Sequence, residues 1–122
     1  MTLSMYKEQI LELYKNPNNF GELPNFTNEH HEFNPLCGDE IIVQLIIKEN
    51  KVKDIKFQGH GCAISIASAS LLTDKIKNKD VKEIQKLNFE DVKKLLGIDI
   101  TYQRIKCATL ALEAVKRAIN RG

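Results

Sequence analysis

Cysteine is scarce in this chain: three in 122 residues, widely spread, with no Cys-x-x-Cys pair. That argues against a disulfide framework, which uses a denser and even set, and against the paired knuckle of zinc fingers. Long apolar runs are missing too. The longest uncharged stretch, Phe57 to Thr73, carries Gln, His, Ser and Thr and is short for a bilayer span. No transmembrane helix and no membrane partner are expected. Met1 to Leu13 mixes Lys7 with Glu8 and Glu12 and lacks a small-residue cleavage site, so it does not read as a signal peptide. Nor is there an excess of one charge. Eighteen Lys and Arg face sixteen Asp and Glu, which speaks against a nucleic-acid partner. No repeat, linker or low-complexity tract interrupts the chain. These absences leave a single domain over 1–122, cytoplasmic, with free thiols or metal-bound ones.

What is present is globular: 43% apolar and 28% charged residues. The spacing predicts an amphipathic helix over Ser4 to Lys15, with Met5, Ile10, Leu13 and Tyr14 apolar, stopped by Asn16-Pro17-Asn18-Asn19. A loop with Gly21 and Pro24 follows, then a short strand over Glu29 to Phe33. Glu40 to Lys48 is the strongest strand, and its β-branched run from Ile41 to Ile47 suggests cover on both faces. Glu49-Asn50-Lys51 turns the chain back into Val52 to Gln58, with Ile55 and Phe57 inward. After the turn Gly59-His60-Gly61, a Ser/Ala-rich helix spans Cys62 to Lys77. Helices over Val81 to Lys86, Phe89 to Leu96 and Ile105 to Asn120 complete the chain. Strands first and helices after make an α+β domain, with helices on one face of an antiparallel sheet.

Each cysteine falls at a junction between elements. Twenty-five positions separate Cys37 from Cys62, and 45 separate Cys62 from Cys107. Cys37 lies in Asn34-Pro35-Leu36-Cys37-Gly38-Asp39, the turn that feeds the strongest strand. Cys62 opens the Ser/Ala helix, and Cys107 sits in the first turn of the last one. At a helix N-terminus, free N–H groups and the dipole favour thiolate, the form that binds metal or attacks sulfur. Asp39 adds a carboxylate, a harder donor and so the natural ligand to exchange. Read singly, each cysteine is equally well a small buried hydrophobe, and Asp39 a turn residue that opens a strand. His30 and His31 read as strand or surface histidines. His60 reads as a turn residue, or as a group just behind a metal ligand. Lys106 and Arg104 are solvated cations or neighbours that steady the Cys107 thiolate.

Taken together, Asn34-Pro35-Leu36-Cys37-Gly38-Asp39, Gly59-His60-Gly61-Cys62-Ala63-Ile64-Ser65, Ala67-Ser68-Ala69-Ser70 and Arg104-Ile105-Lys106-Cys107-Ala108 resemble the iron–sulfur scaffold family of IscU, SufU and the N-terminal domain of NifU. The resemblance covers nearly the whole chain. It implies an α+β fold with a three-stranded antiparallel sheet and a metal site at one end. It also implies that Cys37, Asp39, Cys62 and Cys107 are the cluster and metal ligands. Such proteins take persulfide sulfur from a cysteine desulfurase, take up iron, build a [2Fe–2S] cluster and pass it to recipient apoproteins. The apo protein often holds zinc instead. A cluster with accessible ligands allows a homodimer when it is bound.

Two branches of that family are mixed in this chain. IscU carries a histidine just before its third cysteine, where Lys106 stands here. IscU also has a Leu-Pro-Pro-Val-Lys segment for its chaperone, where Ile100-Thr101-Tyr102-Gln103-Arg104 stands nearby. The Arg-x-Lys-Cys-Ala and Asn-Pro-Leu-Cys-Gly-Asp patterns resemble SufU, whose members are often zinc-dependent sulfurtransferases. SufU typically carries an insertion between its second and third cysteines, which the short interval here lacks. The favoured expectation is a scaffold and not an enzyme. The alternative is a zinc-dependent sulfurtransferase with Cys107 as the persulfide acceptor.

Overall fold

Alternation governs the centre of the molecule. Along Asp39–Lys48, the side chains of Ile41, Val43 and Leu45 are fully buried, while Ile42, Gln44 and Ile46 are half-buried. The β-branched run is therefore covered completely on one face only, a narrower burial than its composition suggests. The structure is a computed structural model. It describes residues 3–121, with side chains from Lys7 onward, so the expected place of Met5 in the first helix's apolar stripe lies outside the described side chains.

Three strands, β1 (Asn28–Asn34), β2 (Asp39–Lys48) and β3 (Lys51–His60), form an antiparallel sheet in that order. Glu49 and Asn50 connect β2 to β3 with φ of 55° and 64°. Positive φ at both central residues matches the strand twist, which is why so short a loop suffices. A register irregularity lies between Ile46 and Ile47. At its other end β3 runs further than expected. Gly59 and His60 are not a turn but the last residues of the strand, opposite Ile41 and Glu40. Gly59 has φ +144°, and a Cβ there would meet the Glu40 carbonyl, so glycine at this point permits pairing rather than a bend.

The helices are α1 (Leu3–Lys15), α2 (Ala63–Ile76), α3 (Val81–Gln85), α4 (Phe89–Leu96) and α5 (Ile105–Arg121), with a 3-10 turn over Tyr102–Arg104 leading into α5. α2 and α5 pack on the inner face of the sheet, and α1 and α4 pack against α2. The core between them holds Ile41, Val43, Leu45, Ile55, Phe57, Ile66, Leu72, Ala111 and Val115. Each large side chain buried there contributes about 1.5–3 kcal/mol. α2 is buried on nearly every side, and its small residues explain how. Ser68 Oγ donates to the Ile64 carbonyl at 2.6 Å and Thr73 Oγ1 to that of Ala69 at 2.7 Å. The hydroxyls thus satisfy themselves inside the helix while leaving room for neighbours to approach.

Caps fix the shorter helices. Asp80 accepts the Lys82 N–H at 2.8 Å ahead of α3. Asn88 and Asp91 exchange bonds at the start of α4, which ends on Gly97 at φ 72°. Between α1 and β1 the chain is clasped to α2. The Asn19 amide donates to Thr73 Oγ1 and Asp74 Oδ1, at 2.9 and 2.8 Å. Asn19 and Gly21 also exchange backbone bonds with Phe57, laying that segment along β3. No described helix is long and apolar enough to cross a membrane.

Candidate metal centre

The sheet register decides what meets at one end of the domain. Asn34, the last residue of β1, lies opposite Asp39, the first of β2, and the intervening turn carries Cys37. The Asn34 carbonyl accepts the N–H groups of Cys37 at 3.3 Å and Gly38 at 2.9 Å, which closes that turn. Because Asp39 is in phase with Ile41, Val43 and Leu45, its side chain points to the inner face. There it meets Cys107, brought in by the first turn of α5.

Three donor atoms converge. Those of Cys37, Asp39 and Cys107 lie within 4.8 Å of one another, with Cys37 exposed and the other two buried. The two sulfurs are 3.6 Å apart. One Asp39 oxygen, Oδ1, accepts the Cys62 backbone N–H at 3.1 Å. The other, Oδ2, is buried with no partner. A buried carboxylate oxygen without a donor is costly, and a cation supplies what it lacks. Two thiols and this oxygen suit a divalent ion or iron.

The fourth expected ligand stands slightly apart. Cys62 caps α2, and its thiol faces Ser65 Oγ at 3.8 Å, outside the close group of three. Its backbone is nonetheless tied to Asp39. Gly61 makes this possible, since a Cβ there would come within 2.7 Å of Asp39 Oδ1. The Arg104 guanidinium lies toward the Cys62 thiol, whose proximity holds the arginine's pKa above its ordinary value.

Cys107 corrects one expectation. A helix N-terminus favours thiolate, yet burial, reinforced by the neighbouring Asp39, Cys37 and Cys62 side chains, pushes this thiol well above its ordinary range. In the metal-free chain Cys107 holds its proton, because desolvation outweighs the dipole. His60 is also not a turn residue behind Cys62. It projects from the outer face of the sheet, where it and His31 flank Glu40 Oε2 at 3.9 and 3.6 Å. His30 pairs with Glu32 at 3.1 Å. Lys106 lines an apolar cleft of about 550 Å³ beside Cys37, together with Leu36, Tyr102 and Ile105. Leu36 and Tyr102 are 81% and 87% exposed.

Asn34 was not singled out by sequence reasoning. It is buried, and its amide donates to the Cys107 sulfur at 3.8 Å. The available signal was its place before Pro35, at the foot of the turn that presents Cys37.

Comparison with known proteins bears on this geometry. The model of the NifU-like N-terminal domain matches residues 5–121. An IscU iron–sulfur cluster assembly scaffold protein of Archaeoglobus fulgidus is 35% identical over 94% of this chain and 74% of its own length. The zinc-dependent sulfurtransferase SufU of Bacillus subtilis is 34% identical, over 95% of this chain and 90% of its own. The crystal structure of a candidate scaffold protein for the SUF system from Fervidobacterium islandicum superposes with a TM-score of 0.81. It is 26% identical and covers 97% of this chain and 99% of that one. With the family model running almost end to end and the same fold in a solved relative, this chain belongs to the NifU-like N-terminal domain family.

Proposed function

We propose that this protein is an iron–sulfur cluster assembly scaffold. Cys37, Asp39, Cys62 and Cys107 hold iron, sulfur arrives from a cysteine desulfurase, and a [2Fe–2S] cluster is built and passed to recipient apoproteins. The observation that carries this reading is the convergence of Cys37, Asp39 and Cys107 around an unpartnered buried carboxylate oxygen. Iron and sulfide are cargo, so the site must both bind and release them. Asp39 suits release, since carboxylate oxygen is a harder and more exchangeable donor than thiolate. Cys37 stands at the mouth of the site and Cys107 at its floor. Leu36 and Tyr102 give the rim an exposed apolar surface on which a desulfurase can seat. Free thiols suit a reducing compartment such as the cytoplasm. The exposed ligand Cys37 leaves room for a second copy to share a bound cluster.

One observation favours a second reading. The Bacillus relative is a zinc-dependent sulfurtransferase, and the two buried donors with Cys37 fit zinc equally well. Zinc, when bound there, would stabilise the thiolates and hold the site together. In this reading Cys107 is the persulfide acceptor: its thiolate attacks the outer sulfur, the S–S bond breaks, and the desulfurase thiolate leaves. Because Cys107 is buried, the site must open before a persulfide can reach it. The scaffold reading is preferred because the archaeal scaffold aligns with this chain almost without gaps. Alignment to the Bacillus protein spans 133 positions against 115 for the archaeal scaffold, over nearly the same share of this chain. The Bacillus protein therefore carries extra residues that this chain lacks.

Anaerobic reconstitution with ferrous iron, cysteine and a desulfurase tests the proposal, beside a zinc-loaded sample assayed for desulfurase stimulation. A chromophore with matching iron and sulfide, transferable to an apo-ferredoxin, is expected. Retained zinc, no chromophore and stimulated sulfur transfer would make it a sulfurtransferase, and Cys107→Ser would then abolish acceptance. Asp39→Ala should lengthen the life of a bound cluster; faster loss would reject the role given to the carboxylate.

A further inference from the structure

We infer that Asn34 is a positioning residue of the metal centre, holding the Cys107 sulfur in the orientation that metal binding needs. The inference rests on the reading of Cys37, Asp39, Cys62 and Cys107 as a metal centre. Asn34 is 3% exposed, and its Nδ2 donates to Cys107 Sγ at 3.8 Å. Its Oδ1 is buried without a partner. Its carbonyl closes the turn bearing Cys37, and its strand partner is Asp39. One residue therefore adjoins three of the four proposed ligands, by side chain, by backbone and by register.

Structural need does not account for the side chain. A carboxamide that buries one satisfied end and one unsatisfied end costs stability relative to an apolar side chain of similar size. The turn at Cys37 uses only the backbone carbonyl, which any residue supplies. What the amide alone provides is an N–H aimed at sulfur. A thiolate at the floor of a buried site is poorly solvated, and a charge-assisted bond from a fixed donor both stabilises it and sets its direction. Groups that orient metal ligands in this way are typically worth about 10–100-fold in affinity. Asn34 thus trades stability of the metal-free fold for ligand placement.

That trade gives the test its sign. Zinc and cobalt(II) are titrated separately into the full chain and into Asn34→Leu, and metal-free thermal unfolding is recorded for both. For Asn34→Leu the dissociation constants should rise about 10-fold or more. The sulfur-to-cobalt charge-transfer band should move to lower energy, because a thiolate without its donor gives up electron density more readily. The metal-free melting temperature should hold or increase. Asn34→Ala, which adds no bulk, provides the same affinity and spectral readouts if the leucine variant does not fold. Unchanged affinity and band in a folded variant would overturn the inference while leaving the metal centre intact. So would a loss of affinity matched by a loss of metal-free stability, the mark of a merely structural residue. A wild-type chain that takes up neither metal would instead overturn the reading of the centre itself.

Discussion

The two ends of the sheet treat buried polar groups in opposite ways. At the end where β1 begins, Asn28 is buried like Asn34, yet its amide donates to the Ala118 carbonyl at 2.9 Å and its Oδ1 accepts from Thr27 Oγ1 at 2.6 Å. That asparagine fastens β1 to the tail of α5. At the end where β1 finishes, Asn34 Oδ1 and Asp39 Oδ2 have no partner, and among the described residues they are the buried side-chain oxygens or nitrogens left so. The same strand thus starts with an amide spent on architecture and ends with one reserved for sulfur. Stability is concentrated where bonds are complete, and reactivity where they are open.

The contrast can be broken by substitution. The largest effect belongs to the open end: Cys107→Ser should abolish metal retention through gel filtration. Its metal-free melting curve should change little, because the thiol's partners there are other members of the site. Next comes Gly61→Ala. Its new methyl group must displace Ser65 Oγ and the Asp39 carboxylate, and we expect a loss of about 1–3 kcal/mol in chemical denaturation together with weakened zinc binding. At the closed end, Asn28→Ala should cost about 1–3 kcal/mol by unpairing a buried carbonyl, while zinc affinity stays at the wild-type value. If Asn28→Ala weakened metal binding as much as Gly61→Ala, the division between the two ends would fail.

Acidity sharpens the same comparison. The Cys107 thiol sits above its ordinary value of about 9 in the folded chain, so the unfolded chain releases that proton first. Below the ordinary value the two states bind the proton alike and the thiol costs nothing. As pH rises past it, metal-free stability should fall, because the folded state holds the extra proton. Zinc binding runs the other way. Metal uptake expels the proton, so apparent affinity should climb with pH, by up to about tenfold per unit for each proton released. Denaturant midpoints and zinc titrations across pH 6 to about 9.5 check both signs. The smallest effect is expected at Arg117, whose guanidinium grips both Glu32 oxygens at 2.7 and 2.8 Å but is largely exposed. Arg117→Ala should cost at most about 1 kcal/mol, read by thermal unfolding.

Much of this was legible in the residues. The Ile41–Ile47 run and the turn at Glu49-Asn50 each state their element through a local rule, and the structure follows them. Where local and tertiary effects compete, the sequence misleads. Gly59 beside Gly61 reads as a turn, but Gly59 is there to admit the Glu40 carbonyl across the sheet. Cys107 at a helix start reads as a ready thiolate, and burial, invisible in sequence, reverses that. Cys37, Asp39 and Cys107 were nameable from their junctions, whereas Asn34 was not. Its role depends on which residue of β1 faces Asp39, and register is a property of the pair of strands.

The clasp of Asn19 and Gly21 onto Phe57 has a consequence of its own. β3 is the outer strand on its side, and an exposed edge of that kind is a template on which another chain can polymerise. On the proposed reading, a scaffold awaiting metal and sulfur spends time in its metal-free form. By filling the Phe57 pairing sites with its own irregular segment, the chain closes part of that edge to strangers. Waiting is thereby made safer from fibre formation.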